Sequence, residues 1–367
     1  MGVIVGSGRA APASAAPGKS QAAAGSPGLP ALWSREWLAF VWSSLPGLAL
    51  AAAAARGAIS ESLALGLFAV SFVGLNLMHM GATWARVYVR PGWRVNPLER
   101  LAVPCGLAAF AISFEAVGGG ALLLAAQYFI SFHHALMQNY GIARAAQRRD
   151  GRRLDGRLDL AACLLLPGAA LLYRASAVCG LYNDAPVPAV PMLVIQALAA
   201  AGVAALGLYA WREWRAMRHG ERVNPIGLGL FFGTNLIWSA LLIADAHPAI
   251  PLFALASGHY LQYVYFVRRV EVRDRPAGAH HPLRARLQTA LRGSPLQYAV
   301  ALLVIAVPVT VLLTLVSIGL RELALSAGLR PDTALAMPPW AAAMLGVNLE
   351  HYWLDRRIWR SPKPVAA

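Results

Sequence analysis

Five histidines lie near the ends of four apolar stretches, and each of those stretches runs on into arginine. His79 precedes Arg86, the pair His133 and His134 precedes Arg144, His259 precedes Arg268, and His351 precedes Arg356. The gaps are 7, 11, 10, 9 and 5 residues. At a helical rise of ~1.5 Å per residue, every imidazole then stands roughly 8–17 Å inside a basic boundary. If the stretches cross a bilayer, the histidines share one layer near one face, the geometry of a metal or heme site assembled from several helices. Imidazoles in such numbers suit iron, copper or zinc, and not magnesium or calcium.

Polar residues accompany each histidine at helical spacing. Asn76, His79, Thr83 and Arg86 are 3, 4 and 3 apart, and Gln127, Ser131, His134 and Gln138 are 4, 3 and 4 apart, so each set shares a face. His133 projects about 100° from His134, which places it toward a second metal position and not the same ion. His259, Gln262, Tyr263 and Phe266 form a third face, beside Gly258, which admits a close neighbour. Asn348, His351 and Asp355 form the fourth, with Glu350 displaced by one position. The expected metal ligands are therefore His79, His134, His259 and His351, with His133 alongside. Asp355, Glu350 and Tyr263 are the expected catalytic or bridging groups, and Tyr140 and Trp353 are expected to line the site. Thr83, Gln138, Gln262 and Asn348 are placed to hold the second ring nitrogens, as amides and carboxylates commonly do around metal-bound histidine. A single histidine within a membrane is explained by one interhelical hydrogen bond; four at matched depth are not.

The remaining ionisable groups fall elsewhere. Glu115 and Asp245 lie at the opposite ends of their stretches, His219, His280 and His281 in basic loops, and His247 beside a proline. Motifs of several membrane enzymes are absent: there is no H-E-x-x-H, no G-x-S-x-G and no aspartate-rich diphosphate motif. The run DGRRLDGRLD at 150–159 lacks the spacing of a CDP-alcohol phosphotransferase motif and reads as a charged loop.

Elements that could position the histidines follow from composition. The chain has 367 residues, 58% hydrophobic and 13% charged, about half the charge of an ordinary soluble domain. Ten apolar stretches, at about 37–55, 62–84, 99–115, 119–140, 159–180, 189–211, 227–246, 249–267, 296–319 and 337–354, are long enough to cross ~30 Å of hydrocarbon. The expectation is an all-α polytopic transmembrane helix bundle of about ten spans (range 8–10). The net charge of +15 is a topology signal, because 28 of the 32 Lys and Arg fall on one side of that arrangement. Only Arg56, Arg174, Arg321 and Arg330 fall on the other. Positive charge stays inside, so both termini and the histidine layer are expected at the cytoplasmic face of the inner (plasma) membrane, and nucleic acid is not a partner. Residues 1–32, rich in Ala, Gly and Pro, are expected to be a disordered tail without a cleavable signal, 33–360 one transmembrane domain, and 361–367 a short tail. The loop at 268–295 contains LRARLQTALRG, read as a basic amphipathic helix at the interface. Cys105, Cys163 and Cys179 form no metal or disulfide pattern.

At these four segments the chain resembles the Brp/Blh class of bacterial carotene-cleaving membrane dioxygenases. HMGAT at 79–83 is similar to that family's first motif and EHYWLDRRIWR at 350–360 to its last. The resemblance implies that the histidines ligate one non-heme iron, Fe(II), that activates dioxygen. It spans around 50 residues in four patches and has departures: Thr83 stands where the family has an acid, and the histidine pair falls in the second segment instead of the third. Segments ending HYxLDxxIWR also resemble uncharacterised His-rich bacterial membrane proteins.

The expected function is a metal-dependent membrane oxygenase or oxidoreductase acting on a lipophilic substrate, a polyene, isoprenoid or acyl chain, drawn from the lipid bilayer. Its partners would be dioxygen and an external electron donor, since the chain has no flavin or nicotinamide fold. The competing readings are a bis-histidine heme protein and a proton-coupled transporter with a relay of His79, His259, His351 and Asp355.

Overall fold

A computed structural model describes residues 35–89, 97–116, 120–152, 156–177, 189–244, 249–273, 282–328 and 339–358. The expected tails at 1–32 and 361–367 lie outside the described residues, as do Cys179, Asp245, His247, His280, His281 and the side chain of Glu115. Among the described residues the chain is helical and contains no strand. In order the helices are α1 (Arg35–Phe40), α2 (Leu45–Ala55), α3 (Glu61–Trp84), α4 (Pro97–Ala116), α5 (Gly120–Arg149), α6 (Arg157–Ala177) and α7 (Met192–Arg218). They continue with α8 (Pro225–Gly229), α9 (Asn235–Ile243), α10 (Ala249–Arg273), α11 (Pro282–Arg292), α12 (Pro295–Ser326) and α13 (Pro339–Ile358).

Local sequence sets several of these boundaries. Ser60 caps α3 by accepting a hydrogen bond from the Leu63 amide. Ser294 and Gln297 make a reciprocal capping box at the start of α12, with proline in its first turn. The first apolar stretch, expected as one helix, is divided. A 3-10 turn at Trp42–Ser44 separates α1 from α2, whose first turn contains Pro46. Proline has no N–H to donate to the preceding turn, so a new helix starts there. The seventh stretch is also interrupted, by a π-turn at Leu230–Thr234 between α8 and α9. A Cβ at Gly229 would lie 2.8 Å from Trp37 Cζ3, so glycine is what lets α1 pack against this segment.

Among the described residues, four helices are long and apolar enough to cross a membrane: Arg157–Ser176, Met192–Arg218, Pro225–Ile243 and Pro295–Leu323. On the last of these Val300, Val304, Val311, Leu312 and Leu315 are exposed, as a lipid-facing surface requires. The C-terminal end of α7 carries exposed Trp211 and Trp214, with the guanidiniums of Arg215 and Arg218 over their rings. That pairing fits the headgroup layer, where amphipathic rings and snorkelling cations collect. The chain is thus an all-α protein with the apolar helices of a membrane protein. The other six of the ten expected stretches also lie on helices, which do not meet the same test over their described residues.

The four histidine-bearing helices, α3, α5, α10 and α13, form one packed group. α3 runs along α10, and α13 contacts both α3 and α5. Close approach again depends on glycine. A Cβ on Gly258 would collide with Ser44 Oγ, and one on Gly81 with the Leu302 carbonyl oxygen of α12. The expected amphipathic helix is present as α11. It packs Leu291 inward, donates from Arg284 and Gln288 to the carbonyls of Tyr88 and Val89, and exposes Leu283, Arg284 and Arg286.

Next to this group, α5, α6 and α7 are tied together by buried charge. Asp159 accepts hydrogen bonds from Arg144, Gln147 and Arg212 at 3.1, 3.0 and 2.6 Å. Glu213 accepts from Arg152, Arg212 and the Asn224 amide. Saturated in this way, two carboxylates buried at the ends of apolar helices are compensated.

Candidate metal centre

His79, His134, His259 and His351 each bring one ring nitrogen within 4.8 Å of the others. They come from four separate helices, with His79, His259 and His351 buried and His134 largely so. His79 Nε2 is 2.7 Å from His351 Nε2, which is 3.1 Å from His134 Nε2. The carboxylate oxygen Oδ2 of Asp355 is 3.5 Å from His351 Nε2 and 3.6 Å from His134 Nε2. A metal–nitrogen bond of about 2.1 Å places adjacent ligand atoms about 3.0–3.4 Å apart and opposite ones about 4.2 Å apart. The 3.1 Å separation matches an edge of such a polyhedron, the 2.7 Å separation is shorter than an edge, and the outer bound of 4.8 Å is larger than the diagonal. Two further nitrogens, Nδ1 of His79 and Nδ1 of His259, are buried with no hydrogen-bond partner. Desolvated imidazoles packed edge to edge need a proton or a cation among them, and the donor set fits a borderline metal ion.

The residues form three layers, because each helix contributes at a fixed offset from its histidine. Four positions after His79, His259 and His351 come Thr83, Tyr263 and Asp355, and these three are hydrogen-bonded in series. Tyr263 donates to Asp355 Oδ1 at 2.6 Å. Its oxygen is 2.9 Å from Thr83 Oγ1, which is 2.7 Å from His351 Nδ1. With the tyrosine proton committed to the carboxylate, Thr83 must donate to Tyr263 and accept from His351. The series therefore fixes His351 as the Nδ1–H tautomer and turns the lone pair of Nε2 toward the other histidines.

Three or four positions before the histidines lies the opposite layer. Ser131, Leu255, Ala256 and Asn348 line a cavity of about 40 Å³ together with His79, His259 and His351. On α10 and α13 Leu255, Ala256 and Asn348 of the cavity precede the histidine and the hydrogen-bonded series follows it, while Met80, Ala135, Tyr260 and Tyr352 line the cavity at the level of the histidines.

Other expected site residues lie elsewhere. His133 is exposed and outside the four-histidine group, as its 100° offset from His134 dictates. Glu350 accepts a hydrogen bond from Tyr88 at 2.9 Å, on the side of α13 that faces the π-turn at Ala85–Val89. Gln138 donates to the His259 carbonyl and to Gln262 Oε1, and Gln262 donates to the Phe40 carbonyl. Those two glutamines hold helix backbones and make no bond to an imidazole. Asn348 lines the cavity, whereas Tyr140 lies against Gly156, and Trp353 packs with Met80 and Trp84.

Two tyrosines were not singled out from sequence. Tyr352 lies against the His134 ring, centroids 4.4 Å apart, and Tyr260 is 4.8 Å from His79. Each directly follows a histidine, and on an apolar helix an aromatic residue carries no signal beyond packing. Comparisons with protein-family models, curated proteins and solved structures returned no match.

Proposed function

We propose that this chain is an integral-membrane, histidine-ligated non-heme iron oxygenase acting on a lipophilic substrate. The convergence of four histidine nitrogens within 4.8 Å, from four helices, carries the proposal. His79, His134, His259 and His351 would hold the metal, with Asp355 at the edge of the set. Imidazole donors serve iron, copper and zinc alike. Iron is favoured by the similarity of 79–83 and 350–360 to the carotene-cleaving dioxygenases. When bound, it would supply the capacity to bind and activate dioxygen. The protein's own groups bind, orient and move protons: Thr83 and Tyr263 hold His351 in one tautomer, and Asp355 anchors that series. The cavity beside the histidines accepts the end of the substrate. A porphyrin would need a wide slot between two histidines, whereas here the rings contact one another beside a cavity of about 40 Å³.

In this reading all ten apolar stretches cross the inner membrane, with both termini and the basic loops in the cytoplasm. The histidine layer then lies near the cytoplasmic face, with Thr83, Tyr263 and Asp355 toward the cytoplasm and the cavity toward the bilayer centre. α11 lies along the surface against anionic headgroups. Substrate enters from the lipid, and electrons come from an external donor.

Labelled dioxygen tests the activity. Iron-loaded protein in vesicles of native lipid extract, supplied with ascorbate, is expected to place heavy oxygen in a lipid product. Failure to label any lipid under these conditions would remove the oxygenase reading. The hydrogen-bonded series from His351 to Asp355 favours one alternative, a proton-coupled transporter, which would function without bound metal.

A further inference from the structure

Ser131 and Tyr352 both line the cavity, and their hydroxyl oxygens are 2.6 Å apart. Gln127 lies one turn before Ser131 on α5. Its amide nitrogen donates to Ser131 Oγ at 3.0 Å and to Tyr352 OH at 3.2 Å. The amide spends both its hydrogens on the two oxygens. The two hydroxyls together have two hydrogens, and their mutual bond uses one. One hydroxyl hydrogen remains, on a wall of the cavity.

Around it the lining is uncharged apart from the imidazoles. Phe132, Ala135, Leu255 and Ala256 make the apolar part. No lysine or arginine is present among the lining residues to receive a carboxylate or phosphate. The size is also restrictive: on a scale where one water needs about 10–15 Å³, the cavity admits a few small groups and no broad ring.

We infer that the cavity binds the neutral, oxygen-bearing end of a lipophilic chain, a hydroxyl or a carbonyl, through the spare hydroxyl proton of Ser131 and Tyr352. This subsite rests on the reading of the histidines as a reaction centre, and it narrows that reading. The substrate is an oxygenated lipid that presents its end to the histidines, and not a hydrocarbon polyene held by its middle. Tyr352 also sets the distance, since its ring lies against His134 while its hydroxyl points to the trio.

Equilibrium binding of radiolabelled hexadecan-1-ol, hexadecane and palmitate to the full chain in nanodiscs, corrected for empty discs, tests the assignment. Wild type is expected to hold the alcohol about tenfold more tightly than the alkane, the effect of one hydrogen bond in a dry site, and more tightly than the acid. Ser131→Ala and Tyr352→Phe each leave one hydroxyl with a free proton and keep most of the preference. The double variant loses it, with elution and metal content unchanged. Equal binding of alcohol and alkane by wild type, or a preference for palmitate, overturns the subsite even if the double variant does not fold. A preference that persists in a folded double variant overturns it as well. Metal content measured on the same wild-type samples separates the two proposals. Metal-free protein that still prefers the alcohol refutes the metal centre alone, and iron-loaded protein without the preference refutes the subsite alone.

Discussion

His351→Ala is expected to strip iron from the purified protein, whereas His133→Ala leaves it in place. His351 is the junction of the cluster: its Nε2 lies 2.7 Å from that of His79 and 3.1 Å from that of His134, and its Nδ1 is held at 2.7 Å by Thr83. Alanine removes a ligand and also leaves Thr83 without its partner. Loss of a residue that merely orients a ligand weakens metal binding about 10–100-fold, so loss of the ligand itself should exceed the upper end of that range. His133 provides the control on the same helix, one residue from a cluster member but exposed. If the two alanine variants retain the same amount of iron, the four-histidine site is not where iron binds. Metal analysis of the two proteins, purified side by side, makes the comparison.

Thr83→Val is expected to lower iron affinity about 10–100-fold while the protein still folds. Valine keeps the branched shape and fills the same space between α3, α10 and α13. What it removes is the oxygen that links His351 Nδ1 to Tyr263, and through it to Asp355. The His351 ring then loses the bond that fixes its tautomer, and two buried polar atoms lose a partner. Thr83→Ser keeps the hydroxyl and should restore binding. That rescue distinguishes a hydrogen-bonding role from a packing role, which serine would not repair. Competition with a chelator of known affinity gives the comparison among wild type, Thr83→Val and Thr83→Ser. Equal affinity for wild type and Thr83→Val would mean that the series does not position His351.

Helical spacing made much of this arrangement legible in the sequence. A histidine and the polar residue four positions later lie on one face whatever the neighbouring helices do, so His79 with Thr83, and His351 with Asp355, could be read directly. The same angular rule turned His133 away from His134 toward an expected second metal position, but that side of α5 is exposed and His133 is outside the cluster. What spacing does not contain is the partner across the interface. Glu350 and Asp355 are both acids near His351, and only the packing of α13 against α3 and the π-turn at Ala85–Val89 sends Glu350 to Tyr88. Gln138 and Gln262 also carried the pattern of groups that orient histidines, but they spend their hydrogen bonds on each other and on backbone carbonyls. Tyr352 and Tyr260 were invisible because an aromatic residue next to a histidine on an apolar helix looks like packing. The division of the first apolar stretch had a visible cause in Pro46. Hydropathy averages over a window and does not register that missing N–H, which is why one span was expected there.

Bound metal is what the four histidines are proposed to hold, and metal analysis of the wild-type chain tests this most directly. Protein purified in detergent, reconstituted with Fe(II) without oxygen and freed of excess metal, should retain close to one iron per chain and show no Soret band. Protein that retains no metal after this treatment would contradict the account and leave the histidines as a hydrogen-bonded relay between helices.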